Sequence, residues 1–437
     1  MRLPAQLAVW PPKTSRTTTS RSLNRVLVSK RMRNTLRTAG LACSIFSCAV
    51  SIRAQTAAPV PPAATPPAAA AAPAAAPTSP VSTPSMEGPL AVNVKPESFD
   101  VPDFGKIYVS GAVTAIALAD TPYATGEKGA YADLSNAQVF VQKVDGAFQF
   151  FLDAGTYSFP TVGVPYVESG STNTATFGAL PVGFIKYVNG NFSFQAGKLP
   201  TLIGAEYGFT YENMNISRGL LWNQEPVISR GVQANYIAGP VLFNISWNDG
   251  FYSDRFNWAT GAATWTINSA NTLGFVAAGN LGTTGYGSSA SPEVLNNDSE
   301  IVNVIYTYVS GAWTAQGYFQ YADSGNASAI GVRDTSTTGV GALVNYAVPN
   351  TSWNLSARVE DISSSGSATD GSANLLYGPG SKAWSFTFTP TYQSGVFFTR
   401  GEVSFVGASS TTSGMALGKS GTSTSQTRFA IETGILF

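Results

Sequence analysis

From about residue 106 onward, apolar and polar residues trade places at every second position. Trp384, Phe386, Phe388, Pro390 and Tyr392 are interleaved with Ser385, Thr387, Thr389, Thr391 and Gln393. Val241, Phe243, Ile245 and Trp247 are interleaved in the same way with Leu242, Asn244, Ser246 and Asn248. Successive side chains of an extended strand point to opposite faces, so each stretch offers one face to an apolar medium and the other to water. The region has no apolar run of the roughly 20 residues that a membrane-crossing helix needs. Alternating segments of about ten residues are the pattern of transmembrane barrel strands, whose backbone groups are satisfied by closure into a cylinder.

The connections carry a second regularity. Short turns are predicted at Asp145-Gly146, Asn189-Gly190-Asn191, Gly239-Pro240, Asn268-Ser269-Ala270-Asn271, Ser310-Gly311, Pro349-Asn350-Thr351 and Ser394-Gly395. Several of these are strong hairpin dipeptides. Long polar stretches lie between them, at 119–133, 158–179, 200–228, 250–260, 281–298, 323–335, 364–381 and 407–424. Seven turns and eight loops join sixteen strands and leave both ends on the short-turn side. The expected fold is all-β: a transmembrane antiparallel β-barrel of about 16 strands, with short periplasmic turns and long extracellular loops. A soluble sandwich would also alternate, but nothing in it would bias connection length by side.

Aromatic residues flank the short turns in pairs: Tyr187 and Phe192, Tyr308 and Trp313, Tyr346 and Trp353, Tyr392 and Phe397. By parity each lies on the apolar face of its strand, where Trp and Tyr would sit at a membrane–water boundary. The chain ends with Phe429, Ile431, Ile435 and Phe437 on one face. This resembles the closing strand of bacterial outer-membrane barrels, which ends in Phe and is read by the barrel assembly machinery.

Charge narrows the function classes. Only 11% of residues are charged while 44% are hydrophobic, which suits a wall half facing lipid better than a soluble surface, where about 25% charge is usual. Ten of the 25 basic residues fall in 1–54, a segment without Asp or Glu, so the remainder sets 15 basic against 25 acidic residues. An acidic surplus argues against nucleic-acid binding. The only cysteines are Cys43 and Cys48, and there is no His. No metal site built on thiolate or imidazole is expected beyond residue 54, no cofactor is called for, and His-dependent catalysis is excluded.

The N-terminus reads as an address. Residues 39–50 are an apolar run preceded by Arg31, Arg33 and Arg37 and followed by Arg53-Ala54-Gln55, the layout of a secretory signal peptide. Residues 1–54 are thus expected to be an N-terminal extension plus signal peptide, with Met32 as the true start. Residues 55–104, Ala/Pro-rich over 56–84, are expected to be a periplasmic linker, and 105–437 the barrel.

The run Asn191-Phe-Ser-Phe-Gln-Ala-Gly-Lys-Leu-Pro200, with Gly204-Ala-Glu-Tyr207 and Ile228-Ser-Arg-Gly-Val-Gln233, resembles the OmpL-like β-barrel porins of Gram-negative bacteria. That resemblance implies a barrel in the outer membrane, in contact with its lipid, and a pore for passive diffusion of small hydrophilic solutes or ions. General porins form trimers, and the sequence is compatible with a homotrimer or a monomer. The alternative reading is a non-conducting barrel that serves as an adhesin or structural anchor through its loops.

Sixteen strands normally enclose an aqueous channel. Asp153, Lys186, Arg358, Glu360, Arg400, Glu402, Arg428 and Glu432, with Gln149 and Gln195, occupy inward positions by parity and are expected to line it. Ionised groups are tolerable there and costly in a dry core. The stretch 200–228 is the longest connection and carries Glu206, Glu212, Arg218 and Glu225, with Arg230 just after. It is expected to fold inward as a constriction, its acids facing Arg218, Arg230 and lumen arginines across an eyelet with a transverse field.

Overall fold

The computed structural model describes residues 79–437 except 82, 125–126, 283–299 and 327–330. The expected signal peptide, the start at Met32 and the linker up to residue 78 lie outside the described residues. Seventeen strands follow in order: β1 (Glu97–Val101), β2 (Gly105–Thr121), β3 (Ala130–Lys143), β4 (Phe148–Tyr157), β5 (Val182–Asn189), β6 (Phe192–Pro200), β7 (Ile228–Ala238), β8 (Val241–Asn248), β9 (Trp258–Asn268), β10 (Asn271–Asn280), β11 (Glu300–Ser310), β12 (Trp313–Asp323), β13 (Ser336–Ala347), β14 (Trp353–Ser364), β15 (Lys382–Ser394), β16 (Phe397–Ser409) and β17 (Ser425–Leu436). Each strand from β2 to β17 pairs antiparallel with the next, and β17 pairs back onto β2 from Thr427↔Thr121 to Leu436↔Ala112. The sheet is therefore a closed 16-stranded barrel. β1 is an extra strand paired with Gly105–Val109 of β2.

All seven short turns fall where the sequence places them. Gly311 and Gly395 adopt φ of +58° and +59° there, a backbone region that glycine enters without steric cost and that matches strand twist in tight hairpins. The first loop is shorter than predicted, because β2 runs on to Thr121 and β3 begins at Ala130.

Polarity is inverted relative to a soluble protein. Ile185, Ile245 and Ile431 on the outer face are 71%, 64% and 57% exposed. On the inner face Thr387, Thr389, Ser356, Asn303 and Glu432 are fully buried. An apolar outside around a polar inside is stable only where lipid replaces water on the outer wall. At the short-turn end Trp313 packs tilted against Tyr346 at 4.5 Å and Trp353 against Tyr392 at 5.3 Å between ring centroids. These are the aromatic positions expected from parity, now joined across neighbouring strands.

Closure depends on one close approach. Gly111 and Phe437 exchange two backbone hydrogen bonds of 2.9 and 3.0 Å, and the Phe437 ring lies over Gly111. A Cβ on Gly111 would stand 2.4 Å from that ring and 2.6 Å from the Gln138 carbonyl. Gly111→Val is thus expected to lower the yield of closed barrel severalfold. Refolding into detergent, read as the compact band that heating shifts on a denaturing gel, checks this; an unchanged yield would show that the contact is dispensable. Phe429, Ile431 and Ile435 also face outward.

Residues 83–93 do not continue away from the barrel. Leu90 is 2% exposed and packs with Phe140, Phe398 and Leu436 on the inner wall. Burying a leucine of this kind contributes about 2 kcal/mol. The segment therefore enters the lumen from the short-turn end.

Candidate constriction site

β6 stops at Pro200, which has no N–H to donate, and the chain returns to the wall only at Ile228. Between them it crosses the barrel interior with two single-turn 3-10 helices, Thr210–Glu212 and Trp222–Gln224. A segment without a regular hydrogen-bonding pattern leaves many backbone groups orphaned, and inside a barrel they need partners. Charged residues of β14, β16 and β17 supply them.

Glu402 accepts hydrogen bonds from the N–H groups of Ile216 (2.6 Å) and Ser217 (3.0 Å). Glu360 accepts from the N–H of Leu220 (2.9 Å) and of Leu221 (3.1 Å). Arg400 donates to the carbonyls of Thr210 (2.6 Å) and Asn213 (3.1 Å) while paired with Glu432 at 2.6 Å. Glu432 also accepts from the Thr210 hydroxyl at 2.6 Å. Arg358 pairs with Glu206 at 2.5 Å and donates to the Ser217 carbonyl at 2.7 Å. The other Glu206 oxygen accepts from the N–H of Gly219, 2.8 Å away. Gly219 is obligatory for this fit, since a Cβ there would stand 2.0 Å from the Glu360 carboxylate. Arg428 pairs with Asp120 at 2.7 Å and donates to the Thr161 and Val164 carbonyls. It thereby fixes the preceding long loop, which is bonded to the 201–227 segment through the Arg218 and Pro160 backbones.

The expected constriction residues divide. Glu206, Glu212, Arg218 and Glu225 are buried inside the barrel, but they do not oppose one another across a gap. Glu206 touches Arg358 directly. Arg218 lies over Trp222 at 5.6 Å and donates to the Ile216 carbonyl. Glu212 accepts from the N–H of Phe209 at 2.9 Å. Glu225 sits beside Gly204 and Tyr318 with no hydrogen-bond partner on its carboxyl. Buried ions are stable only in contact with partners, so pairing replaces the transverse field that loop charge alone suggested. Arg230 is placed elsewhere. It shares the outward face of β7 with Tyr236, pairs with Asp249 and Asp254, and lies 3.9 Å from the Tyr252 ring.

Of the expected lining residues, Asp153, Arg358, Glu360, Arg400, Glu402, Arg428 and Glu432 are inward and buried. Asp153 accepts from Gln138 at 2.7 Å. Lys186 is half-buried beside Gln149 across the β4–β5 pair. Thr114, Asn303, Gln320 and Thr387, which come from different sides of the wall, are also buried. The interior is therefore packed at the level of this segment. Toward the short-turn end Gln195, Asn235, Asn244 and Gln316 are only partly buried.

Burial shifts the loop's ionisable groups. It pushes the Glu212 carboxyl up to about 8, against the opposing pull of the Phe209 N–H and Arg218. Glu225 is raised well above the carboxylate range, first by burial and then by repulsion from Glu206 and Glu360. Burial also lowers Arg218 to about 10, which leaves it protonated at neutral pH.

Asp120, Thr210, Ser135 and Asn215 escaped the sequence reading. Asp120 meets Arg428 only through the β17–β2 closure register, and Thr210 meets Glu432 across 222 positions of sequence. No local pattern encodes either contact.

The family described as "Putative beta-barrel porin-2, OmpL-like" matches residues 106–437. No curated protein matches the chain in sequence. Among solved structures, the anion-selective porin from Comamonas acidovorans is similar at a TM-score of 0.51 and 12% identity, covering 78% of this chain and 100% of that one. The in-vitro folded outer membrane protein OmpT of Vibrio cholerae is similar at 0.50 and 12% identity, covering 76% of this chain and 97% of that one. At such identities the likeness is one of fold.

Proposed function

The chain belongs to the OmpL-like β-barrel porin-2 family and is a bacterial outer-membrane barrel, and from that premise we propose that it is a porin for passive diffusion of small hydrophilic solutes, with residues 201–227 as its constriction. One observation carries the reading: a long loop is held inside a 16-stranded barrel by wall carboxylates and guanidiniums. A segment placed this firmly inside a lumen sets the size of what passes. The absence of His in the whole chain supports a transport role over a hydrolytic one. A homotrimer is part of the same proposal, since the similar OmpT of Vibrio cholerae has a trimer form.

The dense packing around the loop favours a second reading, a barrel that conducts nothing and anchors or adheres through its loops. Osmotic swelling separates the two. Proteoliposomes are expected to swell in an isotonic small neutral sugar faster than protein-free vesicles. Folded protein that gives no swelling, with the loop intact or shortened, would favour the anchor.

A further inference from the structure

Residues 83–93 occupy the lumen beneath the constriction loop, and their attachment differs in kind from the loop's. The loop is held by charge-assisted hydrogen bonds. The N-terminal segment is held by neutral ones: Gln142 donates to the Thr83 carbonyl at 2.7 Å, and Ala91 and Gln393 exchange two bonds of 2.9 Å. At its apex the Glu87 N–H donates to the Glu212 carbonyl of the constriction loop at 2.8 Å. The bend is at Gly88, with φ of +77°. Charge-assisted bonds are roughly twice as strong as neutral ones, so if one part of the lumen filling moves, it is this segment.

Glu87 is the only charged residue in the segment, and it is badly placed as an anion. Both carboxyl oxygens are shielded from solvent without a hydrogen-bond partner, although the residue as a whole is half-buried. Glu206 faces it from the loop, and Tyr207 lies beside it. The Met214 backbone and Arg358 from β14 offset only part of that cost. Glu212 carries the second acid next to the contact.

We propose that residues 83–93 are a gate supplied by the chain itself, closing the lumen from the periplasmic side when docked and released when Glu87 loses its proton. The gating claim rests on the porin reading; the docking switch does not. Burial raises the Glu87 carboxyl well above its ordinary 4.5, which gives the sign. A docked acid with a raised pKa binds its proton more tightly than the undocked one. Docking is therefore strongest below about pH 4.5 and weakens as pH climbs toward the docked value, by at most about tenfold per pH unit for one proton.

Thiol labelling reads the docking directly. The chain from residue 55 onward has no Cys, so Met86→Cys and the exposed Val94→Cys each give a single site in the detergent-purified barrel. The maleimide labelling rate of Met86→Cys, divided by that of Val94→Cys at the same pH, is expected to rise at least tenfold from pH 5 to pH 8. Glu87→Gln is expected to flatten the rise and Glu212→Gln to preserve it. A ratio that stays flat, or a rise that survives Glu87→Gln, overturns the proposal. In a planar bilayer a chain beginning at residue 95 is expected to conduct at pH 5 as the full chain does at pH 8. Equal conductance of both chains at pH 5 overturns the gate. A switching label ratio with no conductance from either chain supports the docking switch and removes the porin reading instead.

Discussion

Arg358→Met unseats the constriction loop, at an expected cost of about 3–5 kcal/mol to the folded barrel. The guanidinium is fully buried and holds four groups at once: Glu206 at 2.5 Å, the Ser217 carbonyl at 2.7 Å, the Thr387 hydroxyl at 3.1 Å and Glu360 at 3.3 Å. Methionine fills much of the volume but leaves Glu206 as a buried anion whose remaining partner is the Gly219 N–H. The cost arises from stranding that charge more than from losing the pair. Replacing both partners, Arg358→Met with Glu206→Gln, is therefore expected to recover most of the loss. Urea unfolding of the four proteins in the cycle gives the coupling, and protease nicking within 201–227 reports the loop itself. Single and double variants of equal stability would mean that the pair contributes nothing and that the loop is held by its other contacts.

Excising residues 203–225 and bridging the ends with a Gly-Ser turn has the largest expected effect on conductance. The loop covers Arg358, Glu360, Arg400, Glu402 and Glu432 on the wall. Without it these groups have no protein partners above them, and water enters to solvate them. A 16-stranded barrel so opened leaves an aqueous channel. Long-lived openings severalfold larger than those of the intact chain are expected, independent of pH because Glu212, the docking partner of the N-terminal segment, is gone. Selectivity should be weak, since two arginines and three glutamates share the exposed ring, and Glu402→Gln in this background should shift it toward anions. Conductance no larger than that of the intact chain would show that the loop is not the constriction.

The wall was legible because its information is local. Strand faces follow from period two at Trp384–Tyr392, and the hairpins follow from dipeptides such as Ser310-Gly311 and Ser394-Gly395. Inward-facing charge at Arg358, Arg400 and Glu432 was legible by the same parity. Entry of the 200–228 stretch into the lumen was foreseen from its length and charge, but its partners were not. Arg358 and Glu206 stand 152 positions apart, and what joins them is barrel closure, which no local pattern specifies. Arg230 is expected in the eyelet only because it follows the charged stretch; strand parity puts it one residue from the inward-facing Gly231 and Gln233 series, so it points outward to Asp249 and Asp254. Residues 83–93 fall in the 55–104 stretch read as linker from the Ala/Pro-rich run at 56–84. Composition of that kind says nothing about whether an irregular segment docks.

On the proposed reading this barrel is a water-filled porin whose lumen is narrowed by a fixed loop. Single-channel recording of the detergent-purified chain in a planar bilayer, under a salt gradient and at pH 8, tests it most directly. Stepwise, long-lived openings, enlarged when residues 203–225 are removed, are the predicted result. Silence from both proteins, each shown to be folded by its heat-shifted gel band, would contradict it.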